Sequence, residues 1–424
     1  AGCTELENGV DLVWAYGGAN GKRFHREGDL GADPESSFDL KPEYCHGDHF
    51  ETDANAFILT FSSVRSGEQE RMYGLVPPGE EPVICNAEKQ HSPLTLLHSG
   101  ISKTPVIAGS RNLTAADDLY FILSRERKFS PGDYPEAAQI FRKAEQSRKA
   151  LAGRIRVHTP DDFINTYGAA LAIAADAIWE DPSYLHGAVA WRMRLQGWRG
   201  AYAGDWLGWH DRAAKHFRGY ARAQYTEPDF DTAAPDPVTH LARQKEEKGK
   251  SLFTEGYISR RPNEISSPHH YDMNLLLINQ LLVHIEWTGV LDFAREMWTE
   301  SCHDLEWEKQ CFDGNRDGLY DSYASIWASD ALQYSGSGVT HSSSCNYRGN
   351  LLAAEIARHI GENPEPYRTE AGKIRNAVNR SLWMPVKGWY GEYRDLLGLQ
   401  RVHPVPAIWT IYHAIDAGIS DPFQ

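Results

Sequence analysis

Cysteine and basic charge are both in short supply in this chain. Six cysteines, at 3, 45, 85, 302, 311 and 345, stand among 424 residues, and none forms a CxxC pair. That removes zinc-cluster readings. Cys302 and Cys311 fall on different faces of a helical pattern and too far apart to bridge, so free buried thiols are expected. Lys and Arg number 43 against 58 Asp and Glu, a formal net charge of −15. Nucleic acid and anionic membrane surfaces need clustered cations and are therefore not expected partners. No apolar run is long enough to span a bilayer, so membrane insertion is not expected either. No GxSxG or Walker sequence occurs, nor a GxGxxG in strand–helix context, which leaves serine hydrolase, P-loop and Rossmann chemistry without support.

What the chain does have is Trp and Tyr, 13 and 20 of them against 15 Phe. Each combines an apolar face with a polar edge, which suits stacking on a sugar ring, although large helical cores use them too. Residues 1 to about 130 read as β. Apolar runs at Leu12–Tyr16, Ala56–Phe61, Pro105–Ile107 and Leu119–Leu123 are separated by Gly, Pro, Asn and Asp clusters, the pattern of an antiparallel sandwich. Helical periodicity begins at Tyr134 and predicts a connecting helix over 134–153. Thr159 as N-cap, Pro160 in the first turn and two acids then open a helix whose stripe is Phe163, Tyr167, Leu171, Ala174 and Ile178. Beyond it, inner helices (271–285, apolar nearly all round, the Ala- and Leu-rich one after 348, and 406–417) alternate with one-sided outer ones. The one-sided helices carry Leu291, Ala294, Trp298 and Leu305 over 291–312, and Tyr367, Ala371, Ile374, Val378 and Leu382 further on. The fold class is thus multidomain, β followed by all-α. An N-terminal β-sandwich covers 1–130 and a linker helix lies in 131–158. An incomplete (α/α)6 toroid of about four hairpins occupies 159–424.

Four polar aromatic clusters recur at the hairpins: Trp198–Asp211, Ser267–Asn274, Ser335–Arg348 and Gln400–Trp409. The markers Asp205, Tyr271, Ser343 and Pro404 are 66, 72 and 61 residues apart. Clusters at one end of successive hairpins would line one face of a ring, a place to hold a sugar. The first offers Trp198, Arg199, Asp205, Trp209, His210 and Asp211, although Asp205 also suits an N-cap. From the second come His270, Tyr271, Asp272 and Asn274, whose spacing fits hydrogen bonding to a polyol rather than a metal. Trp327, His341, Glu392 and His403 complete the set. Asp313, Asn315, Asp317 and Gly318 match the opening of a calcium loop with Asp321 in ninth place, but Ala324 stands where a Glu belongs. Asx-turns give the same string without metal, and no cofactor is the expectation. Asp330 follows Trp327 in an aromatic run. Burial there would keep its carboxyl protonated near neutral pH, the state a general acid for glycosidic cleavage needs; a helix cap is the plain alternative.

In order and motif the chain resembles bacterial (α/α)6-barrel glycoside hydrolases, with the layout of glucoamylase, processing α-glucosidase and α-L-rhamnosidase. It is most similar to an uncharacterised branch from polysaccharide-degrading bacteria. The resemblance rests on WRGAYAGDWLGWHDRA, HHYDMN, DGLYDSYASIWASD and GWYGEYRDLLGLQRVHP and covers nearly the whole chain. It implies a carbohydrate substrate, a periplasmic or secreted location, and a general acid in the loop between the fifth and sixth barrel helices, here 313–342. Asp330 matches that role best and Asp321 second. It also implies inversion of configuration, and a general base before the last barrel helix, beyond residue 424. The chain opens at Ala1 without an initiator Met and stops inside an apparent motif, so it reads as a segment of a longer protein. A polysaccharide lyase, using Tyr271 with His270, and a non-catalytic glycan-binding protein are the alternatives.

Overall fold

Alternation of apolar and polar residues builds the first unit. In the computed structural model, which describes residues 10–18, 41–64, 66–79, 81–113, 118–187, 192–229, 248–249, 252–268, 271–325, 332–395 and 399–420, the chain divides into units Ala1–Leu151 and Ala152–Gln424. The first unit contains β1 (Val10–Tyr16), β2 (His49–Asp53), β3 (Ala56–Ser62), β4 (Gln69–Leu75) and β5 (Val83–Asn86). A short helix α1 (Pro93–Leu97), β6 (Pro105–Leu113) and β7 (Ile122–Ser124) follow. Two antiparallel sheets result, ordered β1-β6-β5 and β2-β3-β4-β7. Phe50, Phe57, Leu59 and Phe61 from one sheet and Ile107 from the other share one core, with Trp14, Tyr16 and Ile84 packed against it. Burial of side chains this size contributes roughly 2 kcal/mol each. The sequence reading missed β2, β4 and β5, whose residues alternate too weakly, and missed α1, which is a single turn opened by Pro93.

Helix α2 (Ala137–Ala152) follows a 3-10 turn over Pro131–Glu136. Helix α3 (Asp162–Ala177) opens the second unit. Its N-cap is Asp161, whose carboxylate accepts from the N–H groups of Phe163 and Ile164, so the start lies two residues past the predicted Thr159. The predicted stripe is also corrected. Phe163, Tyr167 and Leu171 are 83%, 61% and 55% exposed, whereas Gly168, Ala172 and Ala175 are buried. The face that meets the rest of the unit is the one of small residues, because the backbone of Ile155 lies close against Gly168.

The hairpin β8 (Trp179–Glu180) and β9 (Ser183–Tyr184) leads to α4 (Tyr202–Trp206) and α5 (His210–Ala221). Helix α6 (Met273–Thr288) is buried nearly all round, as its apolar composition predicts. The predicted 291–312 helix breaks at Met297 into α7 (Leu291–Glu296) and α8 (Trp298–Phe312). Strands β10 (Asp321–Ser325) and β11 (Leu332–Gly338) form an antiparallel hairpin within the segment read as a loop. Then come α9 (Thr340–Ile360), α10 (Glu365–Ser381), the small hairpin β12 (Trp383–Met384) and β13 (Trp389–Tyr390), and α11 (Ile408–Ala417). Helices α6, α8, α10 and α11 pack against α9. On α10 the predicted stripe holds: Ala371, Ile374, Val378 and Leu382 are buried, and Tyr367 packs edge-on to Trp298. Helix α11, read as an inner helix, instead leaves Ile408 and Ile415 exposed and buries Ala414 and Ala417, which share a core with Ile374, Val378 and Tyr390. No helix among the described residues is long and apolar enough to cross a membrane.

The segment entering α4 is held close to α6. A Cβ on Gly197 would collide with the carbonyl group of Met273, and Gln280 donates to the carbonyls of Gly197 and Trp198. Because the obstacle is backbone, it gives way poorly. Gly197→Ala is expected to cost about 1–3 kcal/mol, read as a lowered midpoint in thermal unfolding; an unchanged midpoint would contradict this packing.

Candidate functional site

The N-terminal ends of α6 and α9 gather the loops that carry most of the chemistry. Helix N-termini leave backbone N–H groups to be satisfied locally, and the Ser-rich first turns of α9 serve the incoming loops in the same way. Ser342 Oγ lies 2.7 Å from Ser322 Oγ, and Ser343 Oγ accepts from the Tyr320 N–H at 2.9 Å. The Tyr271 hydroxyl accepts from the Tyr323 N–H (2.8 Å) and sits 3.3 Å from Ser322 Oγ. Thr340 donates through its N–H to the Glu392 carbonyl and through its hydroxyl to that of Gly391, while the Glu392 N–H reaches the His403 carbonyl. Residues 271, 322, 342, 392 and 403 therefore meet at one end of the helices.

Asp321 opens β10 at this end and is partly exposed. Ser322 faces Tyr271 and Ser342, so alternation along the strand turns Asp321 to the other face, while the register slips after Ser322 and Tyr323 packs in the same core as Tyr271 and Phe312. Desolvation, then the neighbouring carboxylates Asp317 and Asp313, push its pKa up to about 8, against a smaller lowering by Arg394. The adjoining loop is a run of Asx-turns. The N–H groups of Asp317, Gly318 and Leu319 donate to Asn315 Oδ1, Asp313 Oδ1 and Asp317 Oδ1. The remaining carboxylate oxygens take Lys373 Nζ on Asp313 and Arg394 Nη2 on Asp317, each at 2.6 Å. Among the described residues no group of three or more His, Cys, Asp or Glu is arranged to hold a metal ion.

Beneath this layer lie acids that the sequence reading placed on the solvated side of a one-sided helix. Asp304 and Glu308, one turn apart on α8, are both fully enclosed. Neither Asp304 oxygen has a hydrogen-bond partner among the described residues, and Asn346 Nδ2 is 3.5 Å from Glu308 Oε2. Burial drives both pKa values well up; the Glu308 charge adds to the effect on Asp304, and Asp272 adds to that on Glu308. An i, i+4 acid pair is the usual mark of an exposed face, which is why pattern alone missed it. The separate signal was Trp307 between them, fully buried with its indole N–H on the Leu252 carbonyl.

The first cluster does not stay together. The Asp205 carboxylate lies 2.8 Å from Nδ1 of both His284 and His210. His284 is twelve residues beyond Asp272 on the chain, at the other end of α6, about 18 Å away along the axis. Trp198 remains near the middle of α6, held through Gln280. A 3-10 turn and α4 separate the two halves of the cluster, and their rise carries Asp205, Trp209, His210 and Asp211 to the far end. Trp209 is not a free stacking platform: it is 6% exposed, with the Arg154 and Arg212 guanidiniums 5.0 and 4.4 Å from its ring centre. Asp211 stands in the first turn of α5.

Asn274 also has a structural task, clasping the N–H and carbonyl of Ile258. Asp272 is buried, and Tyr271 is stacked on Phe312 at 4.9 Å. His341 is enclosed beside His413, and burial lowers its pKa to about 3, leaving a neutral imidazole. Trp198 and Trp409 pack half-buried against Met273 and Cys345. His403 stacks on Tyr393 at 3.9 Å and bonds Asp395 at 2.8 Å. His270, Trp327 and Asp330 lie outside the described residues, as does the side chain of Arg199.

Residues 1–145 match the model of a family described as a domain of unknown function, DUF4450. No curated protein matches the chain. Among solved structures, a family GH78 rhamnosidase of Bacillus sp. GL1 overlays with a TM-score of 0.46 at 13% identity, over 75% of this chain. The chain spans 28% of that enzyme's length. A rhamnosidase from Klebsiella oxytoca gives a TM-score of 0.44 at 13% identity, covering 89% of this chain and 70% of the other. An uncharacterised conserved protein from Thermus thermophilus gives 0.38 at 11% identity, covering 59% and 72% respectively.

Proposed function

We propose that the chain is part of a glycoside hydrolase acting on a plant or microbial glycan outside the cytoplasm, with residues 159–424 belonging to an (α/α)6 catalytic domain. The observation that carries the reading is Asp321: a partly exposed carboxyl, kept protonated to about pH 8, at the end of the helices where Glu392 and His403 also lie. A glycosidase acid must be protonated at neutral pH and still reachable. In the proposed step the Asp321 proton passes to the glycosidic oxygen as its bond to the anomeric carbon breaks. Water adds to that carbon and yields its own proton to a second carboxylate. Asp330, nine residues further along the sequence, remains the other proposed donor. Glu392, His403 and Trp198 are the proposed sugar contacts. The lyase alternative is weaker, because the Tyr271 hydroxyl is enclosed and burial lifts its pKa well above the usual phenol value. Incubation of the full-length protein with a glycan panel should release reducing sugar without the ultraviolet absorbance of a new C=C bond. Absorbing unsaturated products would establish a lyase, and binding without cleavage would establish a glycan-binding protein.

A further inference from the structure

The proposed acid sits in a strand arrangement that supplies it with a built-in cation. Asp321 pairs directly with Gly338 across the β10–β11 hairpin. On the other side of Gly338, the Arg394 N–H donates to the Gly338 carbonyl at 3.1 Å, and Tyr393 pairs with Val339. Asp321, Gly338 and Arg394 thus stand in line across three adjacent segments, and residues directly opposed in antiparallel pairs project to one face. Gly338 contributes no side chain there. A Cβ at that position would run into Leu319, whose buried side chain lies over it and puts apolar surface rather than water on this face. One Arg394 nitrogen, Nη2, is taken by Asp317 at 2.6 Å. Another, Nε, is buried and has no hydrogen-bond acceptor among the described residues. A buried donor left unmade costs free energy, and a carboxylate formed nearby would recover it.

We infer that Arg394 is a positioning residue for Asp321, a fixed cation that receives the carboxylate each time Asp321 gives up its proton. The inference rests on the proposed role of Asp321 as acid. The charges facing Asp321 are Asp313 and Asp317 from the preceding loop, Arg394 from the neighbouring segment and the Tyr323 hydroxyl from its own strand; Lys373 of α10 acts through Asp313. Asp317 holds Arg394 in place and competes for it, so the two substitutions should move Asp321 in opposite directions.

The test is the carboxyl carbon resonance of Asp321, assigned by its loss in D321N and titrated by NMR in the full-length protein. In R394Q the midpoint should rise by about one pH unit, while R394K, which keeps the charge, should stay close to the parent. D317N should lower it, since a neighbouring negative charge is removed, and R394M serves as the deciding variant if R394Q fails to fold. An unmoved midpoint in R394Q, or in R394M where that variant decides, overturns the inference. The alkaline limb of the pH–rate profile should move with the NMR midpoint. A midpoint that moves while the limb stays fixed leaves Arg394 in its role and removes Asp321 as the proton donor, so the two failures are distinguishable.

Discussion

Replacing Asp321 with Asn should lower kcat by roughly two to four orders of magnitude, the usual contribution of a positioned general acid, and leave the fold intact. The fold is expected to tolerate the change because burial already disfavours the charged form. The linkage sign follows from the direction of the shift. With the folded pKa raised to about 8, the stabilising effect of the protonated carboxyl is complete below the unfolded value of about 4 and disappears as pH climbs through 8. Asn removes that dependence, so thermal midpoints at neutral pH should be unchanged or slightly higher. KM should change little if the proton is used in the bond-breaking step rather than in binding. D330N is the companion measurement. A large loss in D330N with near-normal turnover in D321N would move the acid nine residues along the chain, and normal turnover in both would remove it from this hairpin.

A second large effect is expected from the enclosed pair on α8. Asp304 and Glu308 have raised pKa values, caused first by burial, to which the Glu308 charge adds at Asp304 and the Asp272 charge at Glu308. The folded chain therefore holds protons that the unfolded chain releases above about pH 4. Stability should be greatest in mild acid and fall steadily as pH rises, by as much as about 1.4 kcal/mol per pH unit for each group. E308Q keeps an oxygen for Asn346 and cannot ionise. At pH 9 it should be more stable than the parent by about 2 kcal/mol, on the order of 5 °C in unfolding temperature, while at pH 5 the two should nearly coincide. D304N should behave alike but less cleanly, since its amide finds no evident partner among the described residues. Thermal unfolding at the two pH values decides the matter: a parent as stable at pH 9 as at pH 5 would disprove the protonated pair.

Legibility in the sequence followed how local each feature is. Helix α6 could be read because all its faces are apolar, and the α10 stripe because a single buried face repeats at helical spacing. Asp161 caps its helix through its own carboxylate, so the start of α3 was readable to within two residues. The buried face of α3 was not, since large apolar side chains ordinarily mark the inside and here Gly168, Ala172 and Ala175 do so. Asp304 and Glu308 escaped for the converse reason. Nothing in a helical repeat shows that an acidic stripe will be covered on both sides by other helices.

By itself the sequence determined the order of a β unit, a linking helix and alternating helices, the polar aromatic clusters before them, and the 313–342 stretch of sequence that contains both proposed acids. These are set by periodicity and by residue type within a few turns. The tertiary structure decided which clusters share an end: it sends Asp205 to His284 and leaves Asp321 beside Arg394. That assignment depends on the rise of α4 and on which strands pair, distances that accumulate along the backbone and that no short window of sequence contains.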